Sequence, residues 1–136
     1  MALSQEDLRR QRERMESDQF ILGLLGANLV IAEQGFARVE LDADARHLNG
    51  LGLVQGGVLY SLGDYATAVA ANYATEPMVS LDSSISYLKS GKPGKIIAEA
   101  REISRSRQFT SLEARITDEK GTLLAILHSR GFILKQ

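Results

Sequence analysis

The sequence predicts an α+β domain in which an antiparallel sheet of about six strands wraps around one long central helix. Three observations lead to this prediction. The middle of the chain is a long helical segment of small and apolar residues, two strand-like segments precede it, and four follow it. Because the helix is apolar around most of its circumference, we expect little of it to meet water. Only a sheet that curls around such a helix can cover it.

Length and composition limit the class of protein. The 136 residues predict one domain over 1–136, with 1–17 as a helical extension. With 16 basic and 17 acidic residues and no sustained basic run, the chain lacks the electrostatic footprint of a nucleic-acid partner. The absence of cysteine excludes disulfides, thiolate metal sites and a thiol nucleophile. No apolar run approaches the roughly 20 residues of a membrane span, and the N-terminus lacks the apolar core of a signal peptide. We therefore expect a soluble cytoplasmic protein with no membrane partner.

The first segment predicts a charged helix. Ser4 can cap it, acids occupy its first turn, and the pattern continues to about Ser17. Glu6 and Arg10, like other opposite charges in this segment, are spaced i,i+4. A solvated face accounts for these charges better than a binding patch.

A short apolar turn over 18–26 is expected before a hairpin. The segments 27–34 and 36–43 flank Gln34-Gly35, and the second alternates apolar and polar residues as a strand with one wet face does.

The central segment runs from Asn49 to Asn72 and contains the first functional signal. A glycine-rich turn leads through Gly56-Gly57 into a helix whose single ionisable carboxylate is Asp64. A charge in a buried helix needs a partner or a role, because an unpaired one costs several kcal/mol or is relieved by a raised pKa.

Four strands with turn residues between them are predicted after the helix, in the arrangement of a meander. They cover 78–90, 95–106, 108–118 and 122–135, with turns at 91–94 and 119–121.

This order of elements, together with Asn49, Gly56-Gly57 and Asp64 in the spacing N-x6-G-G-x6-D, resembles the hotdog-fold acyl-CoA thioesterases of the PaaI-like, phenylacetate-degradation type. The resemblance covers roughly residues 18–135, and the segment LDSSISYLKSGKPG supports it. It implies a hotdog fold, a thioester hydrolase and an acyl-CoA substrate. Coenzyme A then enters as part of the substrate, and no cofactor is expected.

Thioester hydrolysis passes through a tetrahedral oxyanion, which backbone N–H groups at a helix N-terminus can stabilise. Gly56 would supply such a donor, and the lack of a side chain would let a carbonyl oxygen approach. The alternative is that Gly56-Gly57 only makes a tight turn into the helix. Asp64 would activate water or attack the thioester carbon itself, and the residue type does not decide between these roles. The alternative for Asp64 is a structural role, in which its carboxylate accepts hydrogen bonds from backbone amides or from Asn49.

Helix geometry separates the Gly56 amide from the Asp64 carboxylate within one chain. Asp64 follows Gly56 by eight residues, which corresponds to about 12 Å along one helix axis. A donor and a base that act on one carbon must lie within a few ångströms of a shared point. Two antiparallel helices from two subunits meet this requirement, so we expect an obligate homodimer with two equivalent sites. A tetramer built as a dimer of dimers is the other assembly considered.

Asn49 would orient the thioester or the attacking water, as the matching residue does in the family, although Asn before Gly is also turn chemistry. Gln55 stands where the family most often has His, so no step can depend on a titrating side chain there. Where family enzymes often place a hydroxyl one turn beyond the carboxylate, this chain has Ala68, with Thr67 one residue off that face.

Substrate contacts are expected at two places. The acyl group would meet residues near the helix start, and the nucleotide would meet cations, although each of these could be an ordinary solvated side chain. The candidates for the acyl group are Leu53, Val54, Tyr60 and Ser61, with Gly57 as a further substrate-binding residue. The candidates for the nucleotide are Lys89, Lys92, Lys95, Arg105 and Arg107.

Neither histidine predicts a metal site. His128 is expected to be a strand residue whose ring is hydrogen-bonded within the sheet rather than a ligand. His47, which has a D-x4-H spacing with Asp42, matches the hotdog hydratases only weakly. Three functions remain open at this point: an acyl-CoA thioesterase, a hotdog enoyl-CoA hydratase or dehydratase, and a non-catalytic acyl-CoA-binding dimer.

Overall fold

The structure is a computed structural model and describes residues 3–134. Two α-helices and six strands make up the domain, with a π-helical turn at Gln19–Leu24 and a 3-10 turn at Ala45–His47. The elements are α1 (Gln5–Glu16), β1 (Asn28–Glu33), β2 (Phe36–Ala43), α2 (Gly56–Asn72), β3 (Met78–Tyr87), β4 (Gly94–Arg105), β5 (Phe109–Asp118) and β6 (Leu123–Ile133).

The six strands form one antiparallel sheet in the order β1-β2-β4-β5-β6-β3. The predicted meander holds for β4, β5 and β6 but is wrong for β3, which pairs with β6 at the edge of the sheet. β4 pairs with β2 instead. The predicted strand 78–90 also ends earlier, because the N–H groups of Leu88 and Lys89 donate to the carbonyl of Leu124 at 2.8 and 3.1 Å. Residues 88–93 therefore cross to another part of the sheet rather than forming a hairpin.

The sheet wraps around α2 as the sequence predicts, and the core lies between them. Leu62 of α2 and Leu127 of β6 are fully buried in it. Gly63 permits the close approach of helix and sheet, since a Cβ atom there would lie 3.2 Å from a methyl carbon of Leu127. Leu41, Ile96, Leu112 and Ile116 are buried in the same core.

One side of α2 is left uncovered within the single chain, which corrects the expectation of burial nearly all round. We call this side the open stripe; it consists of Gly57, Tyr60, Ser61, Asp64 and Ala68, all exposed or half-buried. Their spacing of three or four residues places them on one helix face. The sheet packs against the opposite face.

The N-terminal helix α1 begins as predicted. Ser4 caps it in a capping box with Asp7, and the ion pair between Arg10 and Glu6 forms at 3.3 Å. None of its residues is buried, but the hydroxyl of Tyr65 on α2 donates to the carbonyl of Met15 at 2.7 Å and so fastens α1 to the domain. Across residues 3–134, neither helix combines the length and apolarity that crossing a membrane requires.

Candidate active site

The N-terminus of α2 presents two free backbone donors. Gln55 is the N-cap, and its carbonyl accepts from the N–H groups of Val58 and Leu59 at 3.0 and 3.3 Å. The N–H groups of Gly56 and Gly57 have no acceptor within residues 3–134. They lie at the positive end of the helix dipole, where an oxyanion would be stabilised. The Gln55 side chain is exposed and makes no capping hydrogen bond.

The structure shows one of the two roles that the sequence left open for Asn49, the turn role. Its Oδ1 atom accepts from the N–H groups of Leu51 and Leu53 at 2.9 and 3.1 Å, which fixes the loop before α2. Its Nδ2 amide makes no hydrogen bond to any of residues 3–134. The oxygen is thus used for turn structure, whereas the amide group remains able to donate to a ligand.

A pocket of about 260 Å³ lies beside the start of α2. It brings together several predicted site residues, namely Asn49, Leu53, Val54, Gly56 and Lys89. Its lining also includes Leu59, Tyr87, Leu88, Ser90 and Gly91, which the sequence did not single out. Four of them, Tyr87, Leu88, Ser90 and Gly91, belong to the segment LDSSISYLKSGKPG. That segment is the one sequence signal that could have indicated them.

The remaining acyl-group candidates lie outside this pocket. Tyr60 and Ser61 belong to the open stripe, and the Ser61 hydroxyl donates to the carbonyl of Gly57 at 2.7 Å. Within one chain these two side chains therefore stand beside the carboxylate of Asp64 rather than beside Asn49.

Asp64 is the unpartnered acid of the open stripe. Its carboxylate forms no hydrogen bond or ion pair with the rest of the described chain, and neither backbone amides nor Asn49 satisfy it there. Burial raises the pKa of Asp64 above its ordinary value of 3.8, and the negative charge of Asp18 raises it further. A carboxylate with a raised pKa and no partner is a candidate general base.

The two halves of the predicted site are separated within one chain. Gly56 and Asp64 belong to the same helix, so about 12 Å of helix axis lies between them. Thr67 cannot replace the missing hydroxyl one turn beyond the carboxylate, because its side chain is buried and donates to the backbone carbonyl of Asp64 at 2.9 Å. Ala68 has no hydroxyl.

Four lysines line a second depression that shares Lys89 and Ser90 with the first pocket. This depression has a volume of about 390 Å³, and its charged lining residues are Lys89, Lys92, Lys95, Lys120, Asp118 and Glu119. Lys89 and Lys92 form no ion pair within residues 3–134, and Lys120 is an addition to the predicted set.

The other predicted cations are paired or distant. Lys95 lines the same depression but pairs with Glu40 at 3.1 Å, and Arg105 pairs with Glu102 at 2.9 Å. Arg107 follows the end of β4, whereas Lys92 precedes its start, so roughly 35–40 Å of strand separates them in one chain. The structure therefore groups Lys89 with Lys92 but not with Arg107.

Both histidines are engaged by the chain itself. His47 is 2% exposed, its Nδ1 atom accepts from the N–H of Asp44 at 3.0 Å, and its Nε2 atom donates to the carbonyl of Leu25 at 2.8 Å. Neither ring nitrogen is left for proton transfer to a ligand. His128 is exposed and lies 3.2 Å from a carboxylate oxygen of Glu113. In the part of the chain that the structure describes, no cluster of three or more side chains could hold a metal ion.

Comparison with known proteins identifies the family. The family described as Thioesterase superfamily matches residues 51–125. The 1,4-dihydroxy-2-naphthoyl-CoA hydrolase of Listeria monocytogenes serotype 1/2a (strain 10403S) is 30% identical over 105 residues, which are 75% of this chain and 85% of that protein.

Two solved structures are similar over most of the chain. A mutant of phenylacetic acid degradation protein PaaI from Thermus thermophilus is 31% identical, with a TM-score of 0.81 over 86% of this chain and 100% of that one. The E. coli PaaI protein from the phenylacetic acid degradation operon has a TM-score of 0.88 over 96% of this chain and 95% of that one, at 24% identity. This chain therefore belongs to the thioesterase superfamily, as a hotdog-fold thioester hydrolase of the PaaI-like type.

Proposed function

We propose that this protein hydrolyses acyl-CoA thioesters as a homodimer, and that each active site combines Asp64 of one protomer with the helix-start amides of its partner. The observation that carries the proposal is the carboxylate of Asp64, which is half-buried and unpartnered but lies two turns along the same helix from the free N–H groups of Gly56 and Gly57. No single chain can bring both to one thioester carbon. Two antiparallel copies of α2 can.

The surface of the chain supports this assembly. β3 is a 10-residue edge strand that pairs only with β6 within residues 3–134, so one row of its backbone N–H and C=O groups is free. Its side chains are mostly exposed, including Val79 at 49% and Leu81 at 50%. A long apolar edge is a template for pairing with another chain. The open stripe of α2, as defined above, is uncovered as well, and a second copy would bury both. A tetramer would add a second interface to this dimer.

The hydrolytic step follows from these placements. Asp64 removes a proton from water as the water oxygen bonds to the thioester carbon, and the carbonyl oxygen takes up the negative charge. The N–H groups of Gly56 and Gly57 stabilise this oxyanion, with the Asn49 amide as a further donor to the carbonyl or the water. The carbon–sulfur bond then breaks, and the proton passes from Asp64 to the CoA thiolate. A general base of this kind contributes about 10²–10⁴-fold to the rate.

Attack by Asp64 itself is the second form of the mechanism. It would give a mixed anhydride between Asp64 and the acyl group, which water would then hydrolyse. A single turnover in ¹⁸O-labelled water separates the two forms. Water attack places ¹⁸O in the acid product of the first turnover, whereas attack by Asp64 transfers an unlabelled carboxylate oxygen if water then attacks the aspartyl carbonyl.

Gln55 lies at the position where a His-dependent step would be expected. We infer that it contacts the thioester as an uncharged hydrogen-bonding group, so the pH–rate profile should show no group near pKa 6.5. A Gln55→His variant with unchanged kinetics would contradict a role for this side chain.

The depression at Lys89 and Lys92 would receive the phosphates of coenzyme A. A Lys89→Ala/Lys92→Ala variant should raise KM for an acyl-CoA, while its KM for the same acyl group on N-acetylcysteamine, which has no nucleotide, stays constant. Arg9→Ala/Arg10→Ala, which removes two exposed positive charges from α1, is the charge-matched control. Equal effects on both thioesters would contradict the assignment. Arg107 could reach a nucleotide only from another copy of the chain.

The decisive test is thiol release from a panel of aliphatic and aromatic acyl-CoAs. The unmodified protein should hydrolyse at least one of them, Asp64→Asn should lose at least 10²-fold in kcat, and Glu13→Gln, an exposed carboxylate on α1, should lose nothing. Tight binding without Asp64-dependent release would favour the non-catalytic dimer instead. Hydration of an enoyl-CoA would favour the hydratase, although both ring nitrogens of His47 are already hydrogen-bonded.

A further inference from the structure

The side chain of Tyr87 contacts the first peptide group of α2. Its hydroxyl donates to the carbonyl oxygen of Gly56 at 3.0 Å. Its ring lies against the same residue, because a Cβ atom added at Gly56 would stand 3.1 Å from the ring carbon Cζ and 3.2 Å from the hydroxyl oxygen. Tyr87 also lines the pocket that contains Asn49 and Gly56. A tyrosine at the end of β3 is thus held against the predicted oxyanion donors, across a separation of 31 residues in sequence.

The hydrogen bond acts on the neighbouring N–H. The carbonyl of Gly56 and the N–H of Gly57 belong to one planar trans peptide group and point in opposite directions. A donor that fixes the direction of this carbonyl therefore fixes the direction of the N–H of Gly57, which has no acceptor of its own within residues 3–134. The same carbonyl is positioned to accept from the N–H four residues later in the helix. A second donor polarises the peptide group further and makes its N–H a stronger donor.

We propose that Tyr87 is a positioning residue for thioester hydrolysis: its hydroxyl orients and polarises the Gly56–Gly57 peptide group, so that Gly57 supplies a second oxyanion donor beside that of Gly56. The inference rests on the proposed function of this site and deepens it. It also gives Gly56 a structural reason to be glycine that is independent of the substrate, since any side chain there would displace the Tyr87 ring. The contact lies within one chain and does not depend on the partner.

The test is Tyr87→Phe, which keeps the ring and removes the hydroxyl. We expect kcat to fall about five- to tenfold, the change that one neutral hydrogen bond supports, with KM unchanged within about twofold. The matched control is Tyr73→Phe at the opposite end of α2, whose hydroxyl has no partner within residues 3–134 and whose loss should leave kcat unchanged. An increase in KM alone, or no change in kcat, would overturn the proposal.

A spectroscopic readout separates positioning from a general loss of structure. The amide resonance of Gly57 in a ¹H–¹⁵N spectrum should move in Tyr87→Phe and stay in place in Tyr73→Phe. If Tyr87→Phe does not fold, fluorotyrosine at position 87 keeps the ring and makes the hydroxyl a stronger donor. Assayed where the phenol stays protonated, it should raise kcat, and an unchanged kcat would contradict the role.

Failure of this inference can be told apart from failure of the proposed function. If Asp64→Asn abolishes thiol release while Tyr87→Phe behaves as the unmodified protein does, only the role of Tyr87 is wrong. If no acyl-CoA is hydrolysed by the unmodified protein, the proposed function itself is wrong.

Discussion

Replacing Gly56 by proline removes one predicted oxyanion donor with little change to the fold. Proline is accepted at the first position of a helix, where its missing N–H has no intrahelical acceptor. Gln55 has φ −55° and ψ 135°, which is the extended conformation that the residue before a proline adopts. The cost is a Cβ atom 3.1 Å from Cζ of Tyr87, and the half-exposed Tyr87 ring can shift to accept it.

Gly56→Ala is the matched control, because it adds the same Cβ atom and keeps the N–H. Comparing the two variants therefore isolates the donor. Loss of one oxyanion donor costs about 10²–10³-fold in kcat, so Gly56→Pro should fall below Gly56→Ala by that factor. Their melting temperatures should agree within about 4 °C, since proline at a compatible site also reduces the entropy of the unfolded chain. Steady-state thiol release and thermal unfolding give both quantities. Equal kcat values for the two variants would refute the assignment of Gly56 as a donor.

Three further predictions concern the carboxylates and the sheet edge. The acid limb of the kcat/KM profile should lie above the ordinary Asp pKa of 3.8, and Asp18→Asn should shift this limb to lower pH because it removes a negative charge near Asp64. The amide oxygen of Asn at position 18 can still accept from the N–H of Ile21, so the cap is kept. An acid limb that does not move would mean that another group titrates. Burial raises the pKa of Asp64 in the folded state above its value in the unfolded chain. Between these two pKa values the folded protein binds more protons than the unfolded chain, so the free energy of unfolding falls as pH rises through that window. Asp64→Asn should therefore melt above the unmodified protein at pH 7, and the difference should shrink as pH falls toward 3.8; a constant difference would contradict this linkage. Finally, Leu81 is 50% exposed in the single chain, so burying the rest of its side chain on pairing would contribute about 1 kcal/mol per protomer. Leu81→Lys should therefore raise the dissociation constant of the dimer roughly 30-fold or more, as measured by sedimentation. Ile103→Lys, on β4 away from the edge, is the control, and equal dissociation of both variants would argue against β3 as the interface.

Local patterns predicted most of the fold. The N-cap at Ser4, the hairpin before α2 and the three strands of the meander follow from side-chain caps, turn residues and two-residue periodicity, which act over a few neighbours. The place of β3 could not be predicted in this way. Its pairing with β6 joins residues that are between 38 (Tyr87 and Ala125) and 55 (Met78 and Ile133) positions apart, and the turn residues at 91–94 suit a hairpin equally well.

The candidate site was predictable in part. The free N–H groups at the start of α2 and the unpartnered Asp64 follow from residue types and helix geometry. The prediction that little of α2 would meet water was wrong for the single chain, because periodicity shows which residues are apolar but not which helix face the sheet leaves uncovered. Tyr87 was missed because its hydrogen bond to Gly56 depends on how the end of β3 passes the start of α2, which no local pattern specifies.

The proposed active site is shared between two protomers, and subunit mixing measures this sharing directly. Asp64→Asn and Gly56→Pro should each be inactive alone. When the two variants are dissociated, mixed in equal amounts and allowed to reassociate, half of the dimers are hybrids. Each hybrid contains one site with an intact Asp64 and an intact Gly56 from different chains. The mixture should therefore recover about one quarter of the thiol-release activity of the unmodified protein. Activity no higher than that of the separate variants, with hybrid dimers shown to be present, would contradict a site built from two chains.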